Sequence, residues 1–377
     1  MRHCLCLFLL GFASLAQAQQ TKPPSFFTVI NAQFDKWDAN KDGVLSKAET
    51  DNLVIDPSIK GTAAAVLASL QMIQNSKKFE LPPITRSYLQ QQAAVDGKTG
   101  QPDFQRRYVN ALNKIQKSGR NLFAGAISLE TMHQGRLGDC YLIAPLGSLV
   151  HHDPNLIRKM FVEQSGSGHV IRFADGHSVT VPALTDAEVA LTGTTEGHGL
   201  WLAVMEKAIS MAKKQEGGNE NDPDSVAGSI GLGGSTMRFI PLLTGHQGKS
   251  IAFHQKDSPL KAGEALVKVK LPDVKQALVK AMADHRLVCC STTKETGVPG
   301  LNSHHAYAVL SFDADKDIVY IWNPHGNKFV PKGPGGLTNG FPTTDGKFSM
   351  TLAEFVKAFR SMSFEGTEAA SYKGAKK

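Results

Sequence analysis

The stretch "QGRLGDCYLIAP", Gln134 to Pro145, places one cysteine behind a Gly-Asp pair and ahead of an apolar run. The run predicts a helix that begins at Cys140, with Gly138 permitting the turn before it and Asp139 in its first turn. Pro145 is close to the helix start, so we expect it to distort the second turn rather than to end the helix. A helix N-terminus lowers the pKa of a thiol, which favours a nucleophile over a structural cysteine.

A nucleophilic thiol needs a base, and candidates lie far downstream. "SHHAYAVL" places His304 and His305 at the head of a strand, and "YIWNPHG" places Asn323 at the end of the next strand. The order Cys, His, Asn matches the papain-like arrangement, in which the imidazole forms an ion pair with the thiolate and the asparagine orients the ring. Gln134 could donate its amide N–H to an oxyanion, beside the backbone N–H of Cys140.

Five segments together resemble the calpain family of cysteine proteases. "QGRLGDCYLIAPLGSL" resembles the family's active-site segment, "HHAYAV" its Gly-His-Ala-Tyr-Ser-Val, and "WNPHG" its Arg-Asn-Pro-Trp-Gly. "LWLAVMEKAIS" and "GLGGSTMRFIPLLTG" are similar to two further family segments in the same order. The resemblance covers about residues 120 to 365.

The resemblance implies both an activity and a fold. It implies an endopeptidase that cuts exposed, extended segments of protein substrates, with the cleft between the two halves of a papain-like core. The residues it implies are Cys140 as nucleophile, His305 as general acid and base, Asn323 as ring orienter and Gln134 as oxyanion donor.

Three residues near the expected site depart from the family pattern. Tyr141 stands in place of a tryptophan, His304 in place of a glycine, and His325 in place of a second tryptophan. We expect the side chain of His304 to narrow the cleft, since the glycine brings the backbone close to substrate. We expect His325 to leave the hydrogen bond between asparagine and histidine wetter than the tryptophan would.

A separate motif, "DANKDGVLSKAE", occupies residues 38–49 and follows the EF-hand pattern of oxygen ligands around a glycine turn at Gly43. The incoming segment carries Ile30, Phe34 and Trp37 on one face, as a flanking helix needs. The sequence offers no second good loop, so we expect a structural Ca²⁺ site or a weak one of about 10⁻⁴ to 10⁻³ M. The expected ligands are Asp38, Asn40, Asp42, Val44 through its carbonyl, Ser46 and Glu49.

The first residues, "MRHCLCLFLLGFASLAQAQQ", indicate a secretory signal. Arg2 precedes an apolar run, and Ala16-Gln17-Ala18 forms a cleavage pattern, so we predict a signal peptide over residues 1–18. The run is too short to span a bilayer of about 30 Å. We therefore expect a secreted or periplasmic protein without stable membrane insertion.

The spacing of apolar residues and glycines in the remaining chain predicts an α+β protein. With the family resemblance, we expect a papain-like core of two subdomains, preceded by a mostly helical N-terminal region with one EF-hand. We expect the helical region over 19–119 and the calpain-like core over 120–364. A glycine-rich stretch near 215–234 predicts the subdomain break, and a polar basic tail is expected over 365–377.

Composition narrows the classes of partner. Of the 377 residues, 41% are hydrophobic and 20% charged, which is typical of a soluble globular protein. The net charge of +7 is not gathered into one tract apart from the C-terminal tail, and no nucleic-acid motif accompanies it. The mature chain would retain Cys140, Cys289 and Cys290, too few for a disulfide scaffold. We predict a buried strand with two structural thiols at "RLVCCST" and a free thiol at Cys140.

Three functions agree with these features. The first is a calcium-dependent cysteine endopeptidase. The second is a calcium-binding scaffold that keeps the fold without useful catalysis, and the third is acyl transfer by the same thiol. In each case residues 19 to about 115 could serve as a Ca²⁺-responsive regulatory region or a pro-region.

Overall fold

A computed structural model of the protein describes residues 22–76, 78–166, 168–215, 233–254 and 267–371. The predicted signal peptide lies outside the described residues, as do most of the predicted subdomain break and the end of the basic tail. No helix in the described ranges is long and apolar enough to cross a membrane.

The N-terminal part is helical, as the spacing of its apolar residues predicts. Side-chain oxygens of Ser25, Ser46, Thr85 and Asp103 accept backbone N–H groups at four of the helix starts. The helices are α1 (Phe26–Trp37), α2 (Lys47–Val54), α3 (Gly61–Gln74), α4 (Arg86–Val95) and α5 (Phe104–Lys117).

Helices and antiparallel strands mix in the rest of the chain. The helices are α6 (Cys140–His152), α7 (Pro154–Met160), α8 (Asp186–Leu191), α9 (Trp201–Gln215), α10 (Ile240–Thr244), α11 (Leu271–Ala283) and α12 (Leu352–Ala358). The strands are β1 (Phe161–Ser165), β2 (Gly168–Arg172), β3 (Ser178–Val181), β4 (His246–Ala252), β5 (Val288–Ser291), β6 (Ala306–Asp313), β7 (Ile318–Trp322), β8 (Lys347–Thr351) and β9 (Ser361–Ala369).

The strands form two sheets. β1, β2 and β3 make a small antiparallel sheet, and the larger sheet has the order β4-β9-β5-β6-β7-β8. The two strands predicted next to His305 and Asn323 form a hairpin, in which Asp313 of β6 pairs with Ile318 of β7 at the turn. β9 inserts between the edge strand β4 and β5, so the last of the described strands joins β4 to the rest of the sheet.

The larger sheet is covered on both faces. α6 packs across β6 and β5 on one face, and α11 and α12 cover the other. A Cβ on Gly147 would lie 2.3 Å from the ring of Trp322, so glycine lets α6 approach the sheet closely. In β5, Cys289 packs into the α6 side and Cys290 into the opposite side, as strand alternation requires.

One hydrophobic core joins the N-terminal helices to the helices that follow. Buried residues from Phe26 through α3, α5, α6 and α8 to Trp322 belong to a single cluster. α3 contacts both α5 and α8, so the core continues across residue 119 without a break.

The end of the chain differs from the sequence expectation. α12 ends at Ala358, and β9 then runs from Ser361 to Ala369, into the range expected for the polar tail. The predicted boundary at 364 therefore falls inside a strand. The Glu365 carboxylate accepts hydrogen bonds from Leu287 N at 3.2 Å and lies 2.6 Å from His246 Nδ1, which fixes this strand to its neighbours.

Candidate active site

The start of α6 and the start of β6 face one cavity of about 850 Å³. Cys140 lies half-buried on the α6 side, and His305 lies on the side formed by the sheet. Gly234 and Ser235 also line this cavity. The fold therefore brings the predicted nucleophile and the predicted base, far apart in sequence, into the same cleft.

A buried hydrogen bond fixes the ring of His305. Its Nε2 lies 2.8 Å from Asn323 Oδ1, while Asn323 Nδ2 donates to Asn302 Oδ1 at 2.9 Å and to Asn327 Oδ1 at 2.8 Å. These two acceptors set the orientation of the amide, so Oδ1 must accept from Nε2–H. In the neutral ring, Nδ1 is then unprotonated and can act as a base.

His325 covers this hydrogen bond. Its ring stacks on the ring of His305 with centroids 4.5 Å apart and planes at 11°, and its backbone N–H donates to Asn323 Oδ1 at 3.1 Å. His305 is 6% exposed and Asn323 only 1%. The bond is therefore shielded from solvent, with the flat-stacked His325 ring standing where the family pattern has a tryptophan.

His304 has a left-handed backbone, with φ of 48°. This region favours glycine, since a Cβ crowds the following carbonyl there. The exposed His304 side chain also lines the cavity, as the expected narrowing requires.

The thiol and the imidazole are both neutral in this environment. Burial raises the pKa of Cys140 to about 11, although the backbone N–H groups of Ala306 and Tyr141 favour the thiolate. Burial lowers the pKa of His305 to about 3, with His325 adding to the effect and the Asn323 hydrogen bond opposing it. No hydrogen bond joins the Cys140 sulfur to the ring among the described contacts. The resting pair differs in this from the ion pair expected of a papain-like arrangement.

Gln134 does not face the cavity with a free N–H. Its side-chain Nε2 donates to the Leu137 carbonyl at 2.8 Å and to Asp139 Oδ1 at 3.0 Å, which uses both hydrogens. Its backbone N–H donates to the Pro324 carbonyl at 2.8 Å, which ties the cysteine loop to the loop of His325. Gln134 lines a neighbouring cavity of about 790 Å³ instead.

Asp139 belongs to a buried carboxyl pair that the sequence did not suggest. It precedes α6 rather than lying in the first turn, and its side chain does not cap the helix. Its carboxyl contacts that of Glu206 in α9, whose two oxygens accept from Gly193 N at 3.0 and 2.7 Å. Burial raises the pKa of both carboxyls, and the Asp139 charge adds to the effect at Glu206. The pair therefore shares a proton, with Glu206 as donor.

Other buried charges surround this pair. Burial lowers the pKa of Lys114 in α5 to about 8, although the nearby charge of Glu206 acts to raise it. Lys207, next in sequence to Glu206, is 2.8 Å from the carboxylate of Glu188 in a buried ion pair. The sequence signal for these contacts is the pair Glu206 and Lys207 between apolar residues of α9, since buried charged residues need partners.

The predicted EF-hand loop lies between two helices, as the pattern requires. α1 ends at Trp37 and α2 begins at Lys47, and Gly43 has a φ of 80° at the turn. The Asp38 carboxylate accepts from Gly43 N at 2.9 Å and from Asp42 N at 3.2 Å.

The oxygen donors in this loop suit Ca²⁺, but their carboxylates do not converge. Glu49 accepts from Ala39 N at 2.8 Å and from Ser46 N at 2.9 Å, in a capping box at the start of α2. Within the described ranges, no three His, Cys, Asp or Glu side chains come together closely enough to hold a metal ion. Glu49 would have to turn away from these N–H groups to bind one.

Comparison with known families bears on the part of the cleft that holds Cys140, His305 and Asn323. The family model of calpain family cysteine proteases matches residues 103–334. This range contains α5 and the segments of Cys140, His305 and Asn323. No curated protein matches the chain.

Proposed function

Because the chain belongs to the calpain family of cysteine proteases, we propose that it is a calcium-dependent cysteine endopeptidase with Cys140, His305 and Asn323 as its catalytic residues. A cysteine peptidase acts on protein substrates, and the open cleft suits an extended segment. The observation that carries the proposal is the buried hydrogen bond from His305 to Asn323 beside the cavity that holds Cys140.

The neutral resting pair suggests how the reaction begins. His305 Nδ1 takes the proton from the Cys140 sulfur as the sulfur attacks the substrate carbonyl carbon, so the charges form only when the C–S bond forms. The imidazolium then protonates the leaving amine, and water attacks the thioester with His305 as base. The ring must approach the sulfur when substrate binds, as catalytic contacts often do.

The oxyanion would lie at the start of α6. The backbone N–H of Cys140 points from a helix N-terminus, where donors are unsatisfied and negative charge is favoured. We assign the second donor to Gln134, which would have to exchange a bond to Leu137 or Asp139 for one to the oxyanion. Loss of one such donor typically costs about 10²- to 10³-fold in kcat.

Casein cleavage tests the proposal. The purified protein should cleave casein, and a thiol-directed epoxide should label Cys140. Cys140→Ala should abolish both, whereas Cys289→Ala should not, because Cys289 is fully buried in the sheet. If Cys140→Ala cleaves as fast as the parent, the proposal is wrong.

A scaffold without catalysis is the second candidate, favoured by the raised pKa of Cys140 and by the absence of a described bond from its sulfur to His305. It predicts that Cys140 reacts with iodoacetamide no faster than a free model thiol at pH 6. A strongly enhanced rate at that pH would exclude the scaffold, since such a rate requires an activated thiol.

Calcium would act through α3. α1 and α2 both pack on α3, and Gln74 of α3 donates to the Leu45 carbonyl in the loop at 3.2 Å. Met72 of the same helix lines the cleft. We propose that Ca²⁺ binding at loop 38–49 adjusts this side of the cleft.

Calcium titration followed by tryptophan fluorescence tests the loop, because Trp37 lies directly before it. The parent should respond in the range of about 10⁻⁴ to 10⁻³ M, and Glu49→Gln should weaken the response. Glu80→Gln, an exposed change outside the loop, is the control. A response that Glu49→Gln leaves intact would move the site elsewhere.

Export rests on residues 1–18, and we propose a secreted or periplasmic location. Mass spectrometry of the protein from the producing cell should show a chain that begins after Ala18. A cytoplasmic chain that retains Met1 would contradict this.

A further inference from the structure

A second cavity of about 790 Å³ continues the cleft beyond the catalytic residues. It shares Met72, Arg107 and Arg136 with the cavity that holds Cys140, and His325 lines it as well. Because the His325 ring stacks on His305, this cavity begins beside the reacting centre. A substrate bound at Cys140 would therefore extend a neighbouring residue into it.

The charged residues that line this cavity have one sign. They are Arg106, Arg107, Lys114 and Arg136, and none of the described residues that line it is acidic. Two of the four have partners elsewhere. Arg106 pairs with Asp103 at 2.7 Å, and Lys114 donates to the carbonyls of Thr192 and Gly193.

Arg107 and Arg136 have no such partners. Neither guanidinium forms a hydrogen bond or an ion pair within the described part of the chain, and Arg107 Nε is buried without an acceptor. Burial, together with the charges of Arg136 and Arg106, lowers the pKa of Arg107, while the Asp103 charge opposes the effect. A buried donor without an acceptor is costly, and like charges held together add to that cost. An anion between the two guanidinium groups would relieve both.

We propose that this cavity is an anion-binding subsite that takes an Asp or Glu side chain of the substrate, with Arg107 and Arg136 as its specificity-determining residues. The planar guanidinium matches a carboxylate through two parallel hydrogen bonds. The inference rests on the proposed peptidase function and names its substrate class: proteins with an acidic residue close to the cleaved bond. Arg107 belongs to α5, so a helix of the N-terminal region takes part in recognition.

Fluorogenic peptides test the subsite. They are compared in pairs that differ only by Glu or Gln at one position, and one such pair is made for each position around the cleaved bond. At one position the parent should favour Glu by roughly 10- to 100-fold in kcat/KM, the range expected for a charged hydrogen bond. Arg107→Gln and Arg136→Gln should each reduce this preference, mainly through KM. Arg172→Gln, which removes an exposed charge on β2, should leave it unchanged.

Binding to the Cys140→Ala variant separates this inference from the peptidase function. Fluorescence anisotropy should show tighter binding of the Glu peptide, with the advantage declining at high salt. If the Glu and Gln peptides are cleaved and bound equally well at every position, the subsite proposal is overturned and the peptidase proposal stands. Preferential binding without cleavage by the parent would support the subsite and refute the peptidase. If Arg107→Gln fails to fold, Arg107→Lys keeps the charge and should still reduce the preference, and a full preference would count against the proposal.

Discussion

The carboxyl pair of Asp139 and Glu206 predicts that the protein loses stability as the pH rises and that Glu206→Gln removes much of this loss. Burial raises the pKa of Asp139 from 3.8 to about 6 and that of Glu206 well above its usual range. A carboxyl with a raised pKa in the folded state contributes full stability below its unfolded pKa and loses it as the pH rises through the folded value. Burial causes the shift at Asp139 and the hydrogen bond from Glu206 opposes it, so the loss that Glu206→Gln removes is that of Glu206 itself, at about 1.4 kcal/mol for each pKa unit between its folded and unfolded states.

Glutamine reproduces the protonated form of Glu206 at every pH. Its amide N–H can donate to Asp139, and its oxygen can accept from Gly193 N, as the glutamate oxygens do at 2.7 and 3.0 Å. We therefore expect Glu206→Gln to match the parent at pH 4 and to exceed it at pH 8 by about 1 to 3 kcal/mol in free energy of unfolding.

Urea unfolding between pH 4 and pH 8, followed by the fluorescence of the three buried tryptophans, measures this difference. Glu188→Gln is the matched control. It removes one charge of the buried pair with Lys207, so it should destabilise the protein at pH 8 by about 3 to 5 kcal/mol. A Glu206→Gln variant that is no more stable than the parent at pH 8, or that differs from it equally at both ends of the pH range, would refute the shared proton.

Three further substitutions test the cleft and its support. Gly147→Ala would place a Cβ 2.3 Å from the Trp322 ring and should lower the free energy of unfolding by about 1 to 3 kcal/mol, which a parental urea midpoint would contradict. His304→Gly removes a side chain from a residue with a φ of 48°, so it should raise the free energy of unfolding by about 1 kcal/mol and lower KM. An unchanged thermal midpoint and an unchanged KM would count against this expectation. His325→Ala uncovers the His305 ring and should raise the pKa of His305, so the acidic limb of the pH profile of kcat/KM should move to higher pH. An acidic limb at the parent's pH would show that His325 does not shield the ring.

Local sequence patterns predicted the elements that depend on neighbouring residues. The helix at Cys140, the N-terminal helices and the hairpin of β6 and β7 all agree with their patterns. The family match confirms the calpain resemblance of the catalytic segments. Each of these helices and the hairpin is encoded within roughly fifteen consecutive residues, the range over which local patterns predict structure.

Features that depend on distant partners were missed. The sequence predicts a polar tail where the second half of β9 lies, since the strands that pair with it, β4 and β5, lie far away in sequence. The pairing of Asp139 with Glu206 and the position of Arg107 in the cleft likewise follow from tertiary packing, which no local pattern records.

The alternation of Cys289 and Cys290 across the sheet has a consequence for oxidation. The two thiols lie on opposite faces of β5 and are closed off by helices, and burial raises the pKa of each. Peroxide attacks thiols that it can reach, and because burial raises the pKa of all three described thiols, exposure decides among them. Of the described cysteines only Cys140 is in contact with solvent, so oxidative damage to the folded protein should begin at the residue on which its activity would depend.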